Sequence, residues 1–249
     1  MTWSLLARDA DGRFGAIVAS RFFAVGALCI HTRRGVGAVA TQALMNPLYG
    51  PAALDALAAG RSAAEAVAAL TAADGGRSQR QLLVLGAQGA PAVHTGAECI
   101  GWCGQWLRDD HCAAGNMLAG AVVLQATAEA FAAAAAQGLP LAERLIIAMQ
   151  AGQAAGGDKR GQQSAALRVQ ADEDRAELDL RVDDHEQPLQ ELQRLYRVSL
   201  QRFQPFVACL AGRHDPVGET DRARIEARIQ QFTAALPPEP DQAPMEPTR

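Results

Sequence analysis

Aromatic side chains are scarce in this chain, 5% of its 249 residues, although 49% are hydrophobic. The balance is made up largely by alanine. That composition suits close helix packing and names no function. Cysteine is sparse too: five residues, an odd number in a chain this long, do not make a disulfide framework. No apolar run reaches the roughly 18–20 residues that span a bilayer. No basic segment followed by a long apolar one opens the chain, so no signal peptide is expected and the default is a soluble cytoplasmic protein. A net charge of −4 argues against nucleic acid or an acidic membrane surface as partner. There is no Gly-x-Ser-x-Gly elbow, no P-loop and no repeat of fixed period. Neither Cys99, Cys103, His111 and Cys112 nor Asp183-Asp184-His185 has the spacing of a strong zinc site. Turn chemistry at a strand end and charge at a helix start explain the second group, so no metal and no cofactor are expected.

What is present begins at once. Thr2–Arg8 and Phe14–Ser20 are apolar runs flanking a polar loop, Asp9–Arg13, that carries Asp and Gly. This pattern predicts a β-hairpin. Its first residue is a threonine directly after the initiator methionine, a residue commonly removed before small side chains. Removal would leave a free α-amine beside the Thr2 hydroxyl, a known pairing of base and nucleophile. An α-amine ordinarily titrates at about pH 7.7–8.0, so part of it can accept a proton near neutrality.

Further along, short apolar runs at 22–31 and 35–42 predict two more strands or strand fragments. Asn46–Pro51 is a turn, and Ala52–Ala59 a short helix closed by Gly60. Ser62 and Glu65 form a capping box for a helix to about Ala73. Gln81–Gly86 and Pro91–Thr95 pair as strands. Gly96–Gly115 looks irregular, and Gly115–Leu118 leads from strand to helix. Helices are expected over 120–137 and 141–154, strands over 164–171 and 178–183, and helices over 188–211 and 215–235. Pro237–Arg249 has no apolar face and is expected to be a disordered tail. Strands arrive as hairpins and helices in groups, which argues for an α+β protein with antiparallel sheets. Two sheets face to face, with helices on both outer sides, would absorb these elements.

Several stretches together resemble an Ntn-hydrolase-like family catalogued as domain-of-unknown-function family 1028. They are Thr2–Asp9, Val18–Gly26, Gly37–Ala43, Asn46–Gly50, Gly115–Leu118, Ala151–Leu167 and Asp179–His185. The resemblance spans roughly residues 2 to 198. It implies a four-layer αββα sandwich of two mainly antiparallel sheets, belonging to the N-terminal nucleophile hydrolases. C-terminal helices over 199–236 and the tail over 237–249 lie beyond it and could serve a homo-oligomer. In that superfamily the first residue of the first strand is the nucleophile, a place Thr2 takes here. Ser20 and Arg21, at the end of the second strand, are the nearest groups in sequence to tune the amine. The family's usual residue at position 21 is lysine. Arg21 departs from it, and because arginine does not exchange its proton the role is electrostatic or structural, equally an ion pair.

Acyl transfer also needs oxyanion donors. Asn116 suits that task, with a cap or turn as its competing role. The glycine-flanked Asp158-Lys159-Arg160 loop approaches an anionic substrate, or holds a charge network under the nucleophile, or is a solvated turn; Asp158 is counted with the catalytic candidates and Arg160 with the substrate-binding ones. Gln42 and Asn46 are candidates for lining the same cleft. The expectation is a Thr2 hydrolase, working without cofactor, that cleaves an amide of a small molecule other than an ordinary peptide. The alternative is a non-catalytic ligand-binding or assembly module.

Overall fold

The computed structural model describes residues 2–158 and 160–237. Most of the tail expectation, from 238 onward, therefore lies outside the described residues, as do Met1 and Lys159. The chain divides into two compact units, residues 1–196 and 197–249.

In the first unit the strands are β1 (Thr2–Arg8), β2 (Phe14–Ser20), β3 (Ile30–Arg33), β4 (Gly37–Ala43) and β5 (Arg80–Gly86). They continue with β6 (Ala92–Thr95), β7 (Trp102–Leu107), β8 (His111–Leu118), β9 (Ser164–Gln170) and β10 (Leu178–Val182). They form two antiparallel sheets, ordered β10-β9-β2-β1-β8-β7 and β3-β4-β5-β6. Helices α1 (Tyr49–Ala58) and α2 (Ala63–Ala72) cover the four-stranded sheet, and α3 (Ala121–Ala136) and α4 (Leu141–Ala154) cover the six-stranded one. The layering is αββα, an α+β sandwich.

Strand alternation explains the layers, since successive side chains point to opposite faces. On β1, Leu6 packs between the sheets with Phe14, Val18, Leu83 and Leu85. Trp3, facing the other way, is fully buried beneath α4, where a Cβ at Gly152 would collide with the Thr127 hydroxyl and sit 3.3 Å from the indole nitrogen. Between the sheets Ala16, Ala38, Ala40, Ala114 and Ala166 let the two backbones approach, which accounts for the scarcity of aromatics. Outside the smaller sheet, Val39, Leu82 and Val84 meet Tyr49, Leu54 and Val67 of α1 and α2.

Several local expectations are corrected. Gly96–Gly115 is not irregular: it contributes β7 and most of β8, the latter a direct neighbour of β1. Helix α1 starts at Tyr49, three residues before the expected Ala52, with Pro51 in its first turn, where a missing N–H costs nothing. The expected helix over 188–211 is broken. Helix α5 (Pro188–Val198) passes into a π-turn at Ser199–Phe203, where the Gln204 N–H reaches back to the Ser199 carbonyl, and then into the single turn α6 (Gln204–Val207). Pro205 has no N–H with which to continue the ladder.

In the second unit α7 (Arg222–Ala234) begins at Asp221, whose carboxylate accepts from the Ala223 and Arg224 N–H groups. Asp215, expected to start this helix, instead caps a turn by accepting from Val217 and Gly218. Arg202 pairs with Glu226 across the unit.

Candidate active site

The inter-sheet faces of five strands become polar at one end of the sandwich. On β1 the series runs Leu6, Ser4, Thr2; on β2 it ends in Ser20, on β8 in Asn116, on β4 in Gln42 and on β5 in Gln81. Burial of unpaired amides and hydroxyls costs about 1–3 kcal/mol each, and here they are paired with one another. Thr2 stands opposite Ser20 on one side and Asn116 on the other. Its hydroxyl oxygen lies 2.9 Å from the Ser20 hydroxyl. Asn116 Nδ2 donates to Gln81 Oε1 at 3.2 Å and, at a long 3.4 Å, to the Thr2 carbonyl. Gln42 Nε2 donates to the same Gln81 Oε1 at 2.7 Å and to the Ala114 carbonyl at 3.0 Å. Ser4 donates to Gln42 Oε1 at 2.6 Å. Gln81 Nε2 in turn donates to Thr95 and to the Gly115 carbonyl. Ser4, Ser20, Gln42 and Gln81 are fully buried, and Thr2 is 5% exposed. Cys29 adjoins Ser4. Burial pushes its thiol up to about 12, which makes it inert as a nucleophile.

Asp158 completes the end of this array. It forms a single antiparallel bridge to Leu118. Leu118 already meets Trp102 of β7 on one side, so Asp158 occupies the β1 side of β8. Thr2 faces Asn116 on that same edge. Asp158 therefore lies beyond the Thr2 end of β1, past the left-handed Met117 that separates Leu118 from Asn116. Its side chain is fully buried. Oδ1 accepts from the Arg160 backbone N–H at 2.6 Å, while Oδ2 has no hydrogen-bond donor among the described residues and lies 3.5 Å from the Arg160 guanidinium.

A cleft of about 240 Å³ opens beside Asn116. Met117 and Ala43, the residues at the mouths of β8 and β4, both line it with left-handed backbones, φ 57° and 65°. Non-glycine residues are held there at a cost of about 1–3 kcal/mol each. Leu44, Gln79, Ile100 and Cys99 form the rest of its wall, with the exposed Glu98 also lining it.

The structure thus brings Thr2, Ser20, Gln42 and Asn116 into one hydrogen-bonded set and puts Asp158 at its edge. Asn116 sits inside β8, not at a strand-to-helix junction. Arg21 is exposed and donates to the Arg160 carbonyl at 3.0 Å, tying down the 158–161 loop. Arg160 is exposed over Asp158. Asn46 belongs to a separate cluster, donating to Asp74, which also accepts from Tyr49 and Arg80. Sequence reasoning missed Gln81, the residue that joins Gln42 to Asn116. The one signal for it was a polar residue ahead of the apolar run Leu82–Leu85. Among the described residues no group of three or more His, Cys, Asp or Glu side chains is placed to hold a metal.

Fold and site together define an α+β sandwich whose inter-sheet layer ends in a buried polar cluster around the first strand. The chain belongs to the family of unknown function DUF1028, whose family model matches residues 2–192. It is similar to the crystal structure of protein SPO2555 from Silicibacter pomeroyi, of the same family. Identity is 30% and the TM-score 0.81, over 89% of this chain and 96% of that one. No curated protein matches. No helix among the described residues is long and apolar enough to cross a membrane.

Proposed function

We propose that the protein is an N-terminal nucleophile hydrolase that cleaves a small-molecule amide through an acyl-Thr2 intermediate. The observation that carries this reading is Thr2 at the polar end of the sandwich, its hydroxyl 2.9 Å from Ser20 and its strand position opposite Asn116. In a chain that begins at Thr2, the α-amine stands at the Asp158 end of β1, and the buried carboxylate, whose Oδ2 has no hydrogen-bond donor among the described residues, favours its ammonium form. The neutral amine takes the proton of Thr2 Oγ1 as that oxygen attacks the substrate carbonyl. Asn116 Nδ2 exchanges its long contact with the Thr2 carbonyl for the developing oxyanion. The ammonium then protonates the leaving amine, and water, deprotonated by the same amine, releases the acid and restores Thr2. Ser20 orients the hydroxyl, and the Asn116 cleft receives the substrate. No step uses a cofactor.

The test is mass spectrometry of the N-terminus together with an amide library screened against wild type, Thr2→Ala and Thr2→Ser. The expected outcome is a chain beginning at Thr2, turnover of a library member, no turnover by Thr2→Ala and residual turnover by Thr2→Ser. Met1 retained in all molecules would sink the mechanism, because the base would then be an amide nitrogen. The second reading is a ligand-binding or assembly module, favoured by exposed Phe22, Phe23, Leu44 and Ile100 in the loops that leave the same strand ends. It predicts equal ligand affinity in wild type and Thr2→Ala, with no product from either.

A further inference from the structure

The cleft beside Asn116 combines an apolar wall with a single charge. Ala43, Leu44, Ile100 and Met117 make the wall, and the large side chains of Leu44 and Ile100 are 59% and 71% exposed. Among the described residues that line the cleft, Glu98 is the one charged side chain. It is exposed, and its carboxylate has neither an ion pair nor a hydrogen bond among the described residues. The backbone that carries it is fixed on both sides. The Glu98 N–H donates to the Ser78 carbonyl at 2.7 Å, just ahead of β5, and the Ile100 carbonyl accepts from the Met117 N–H of β8 at 3.1 Å. Glu98 is thus held at the cleft by its main chain while its charge is left to solvent.

The guanidiniums of the adjoining segment do not neutralise it. Arg80 pairs with the Asp74 carboxylate at 3.2 Å and donates to the Leu44 carbonyl, and Arg77 donates to the Asp74 carbonyl at 3.4 Å. Arg160, expected to meet an anionic substrate, is not among the lining residues and lies over Asp158. The cleft's own charge is therefore negative. Its volume of about 240 Å³ is below the roughly 300–1,000 Å³ of sites for drug-sized ligands, which suits a body of a few methylenes.

We propose that this cleft takes a short aliphatic amide bearing an ammonium or guanidinium group, and that Glu98 selects for that charge. The proposal rests on the hydrolase reading, which puts the amide beside Thr2 and Asn116. The methylenes then run along Leu44, Ile100 and Met117, and the cation meets Glu98 at the exposed end. An anionic amide would bring a like charge to Glu98, and a neutral one would gain nothing from it. A cation there keeps part of its hydration, so the selection is several-fold and not absolute.

Two cationic probes test this: N-acetylputrescine, charged on the amine arm, and 4-aminobutanamide, charged on the acyl arm. N-pentylacetamide and butanamide are the neutral comparisons of matching length, and 5-acetamidopentanoate and succinamate the anionic ones. Calorimetry on the full chain carrying Thr2→Ala reads binding without turnover. At least one cation should bind saturably and roughly 5-fold more tightly than its neutral and anionic counterparts. Adding Glu98→Gln, at an exposed position, should remove that advantage and leave the neutral amide unchanged. Glu98→Lys should turn the preference toward the anion. Absence of saturable cation binding at millimolar concentration would overturn the proposal. So would a preference for the neutral or anionic amides, or a cation preference that persists in both Glu98 variants, each shown to be folded by circular dichroism. Wild-type turnover separates the two readings. Hydrolysis of the bound cation, with KM raised and kcat kept in Glu98→Gln, supports both. Glu98-dependent binding with no product from wild type supports the charge selection and overturns the hydrolase reading alone.

Discussion

The two ends of the inter-sheet layer are built from the same strands and the same faces, yet they have opposite chemistry. At one end Leu6, Phe14 and Leu85 pack with Cys112 and Ala38 in a dry, fully buried core. At the other, two or three alternation steps along each strand, Thr2, Ser20, Gln42, Gln81 and Asn116 form a chain of hydrogen bonds. The first end gains stability from apolar area removed from water, about 25 cal/mol per Å². The second gains little net free energy from its hydrogen bonds and is costly when one is broken. The contrast teaches where a layered fold can keep polar chemistry: at strand mouths, where neighbouring strands end together.

Beyond the loss of turnover in Thr2→Ala, the comparison breaks most visibly at its dry end. Leu6→Ala removes a fully buried side chain and should cost about 2–5 kcal/mol of unfolding free energy. Chemical denaturation measures it, and activity per folded molecule should stay near wild type. At the wet end, Gln81→Leu should cost about 1–3 kcal/mol, because Gln42 Nε2 and Asn116 Nδ2 both lose their shared acceptor. Unlike Leu6→Ala it should also depress turnover, through a mispositioned Asn116.

Asp158→Asn sharpens the proposed role of the carboxylate. A nearby negative charge favours the protonated amine, so its removal should lower the α-amine pKa and move the acid limb of the rate profile to lower pH. A profile that keeps its position would separate Asp158 from the amine. The smallest effect concerns His31, outside both ends, whose imidazole burial holds below its ordinary pKa of 6.5. A depressed imidazole is neutral in the fold and protonated more readily in the unfolded chain. Its contribution is present above pH 6.5 and is lost as pH falls from there toward the folded value. Thermal melts of wild type should therefore weaken below about pH 6.5 more steeply than those of His31→Gln.

Much of this architecture was legible. The first hairpin, the Ser62–Glu65 capping box and helix α4 at Leu141–Ala154 all follow local rules, and the structure has each. The β7–β8 hairpin was not legible. β7 is half-exposed with a register shift between Trp102 and Gly104, and β8 is rich in Ala, Gly and Asn and buried on both faces. Neither shows alternation, and those residues are weak strand formers. The C-terminal helix was misplaced because Asp215-Pro216 has the composition of a helix start, while Gly218, at φ 66°, turns the chain before one can form.

The sequence by itself determined most of the strand and helix segments, the apolar faces and the candidate threonine, because these depend on periodicity and on neighbours along the chain. The tertiary structure alone decided that Gln81 joins Gln42 to Asn116, and that Asp158 meets β8 at Leu118, two residues beyond the Asn116 that faces Thr2. The two Gln81 pairings link residues 39 and 35 positions apart. An amide or a carboxylate carries no local signal of which distant strand will bring it a partner.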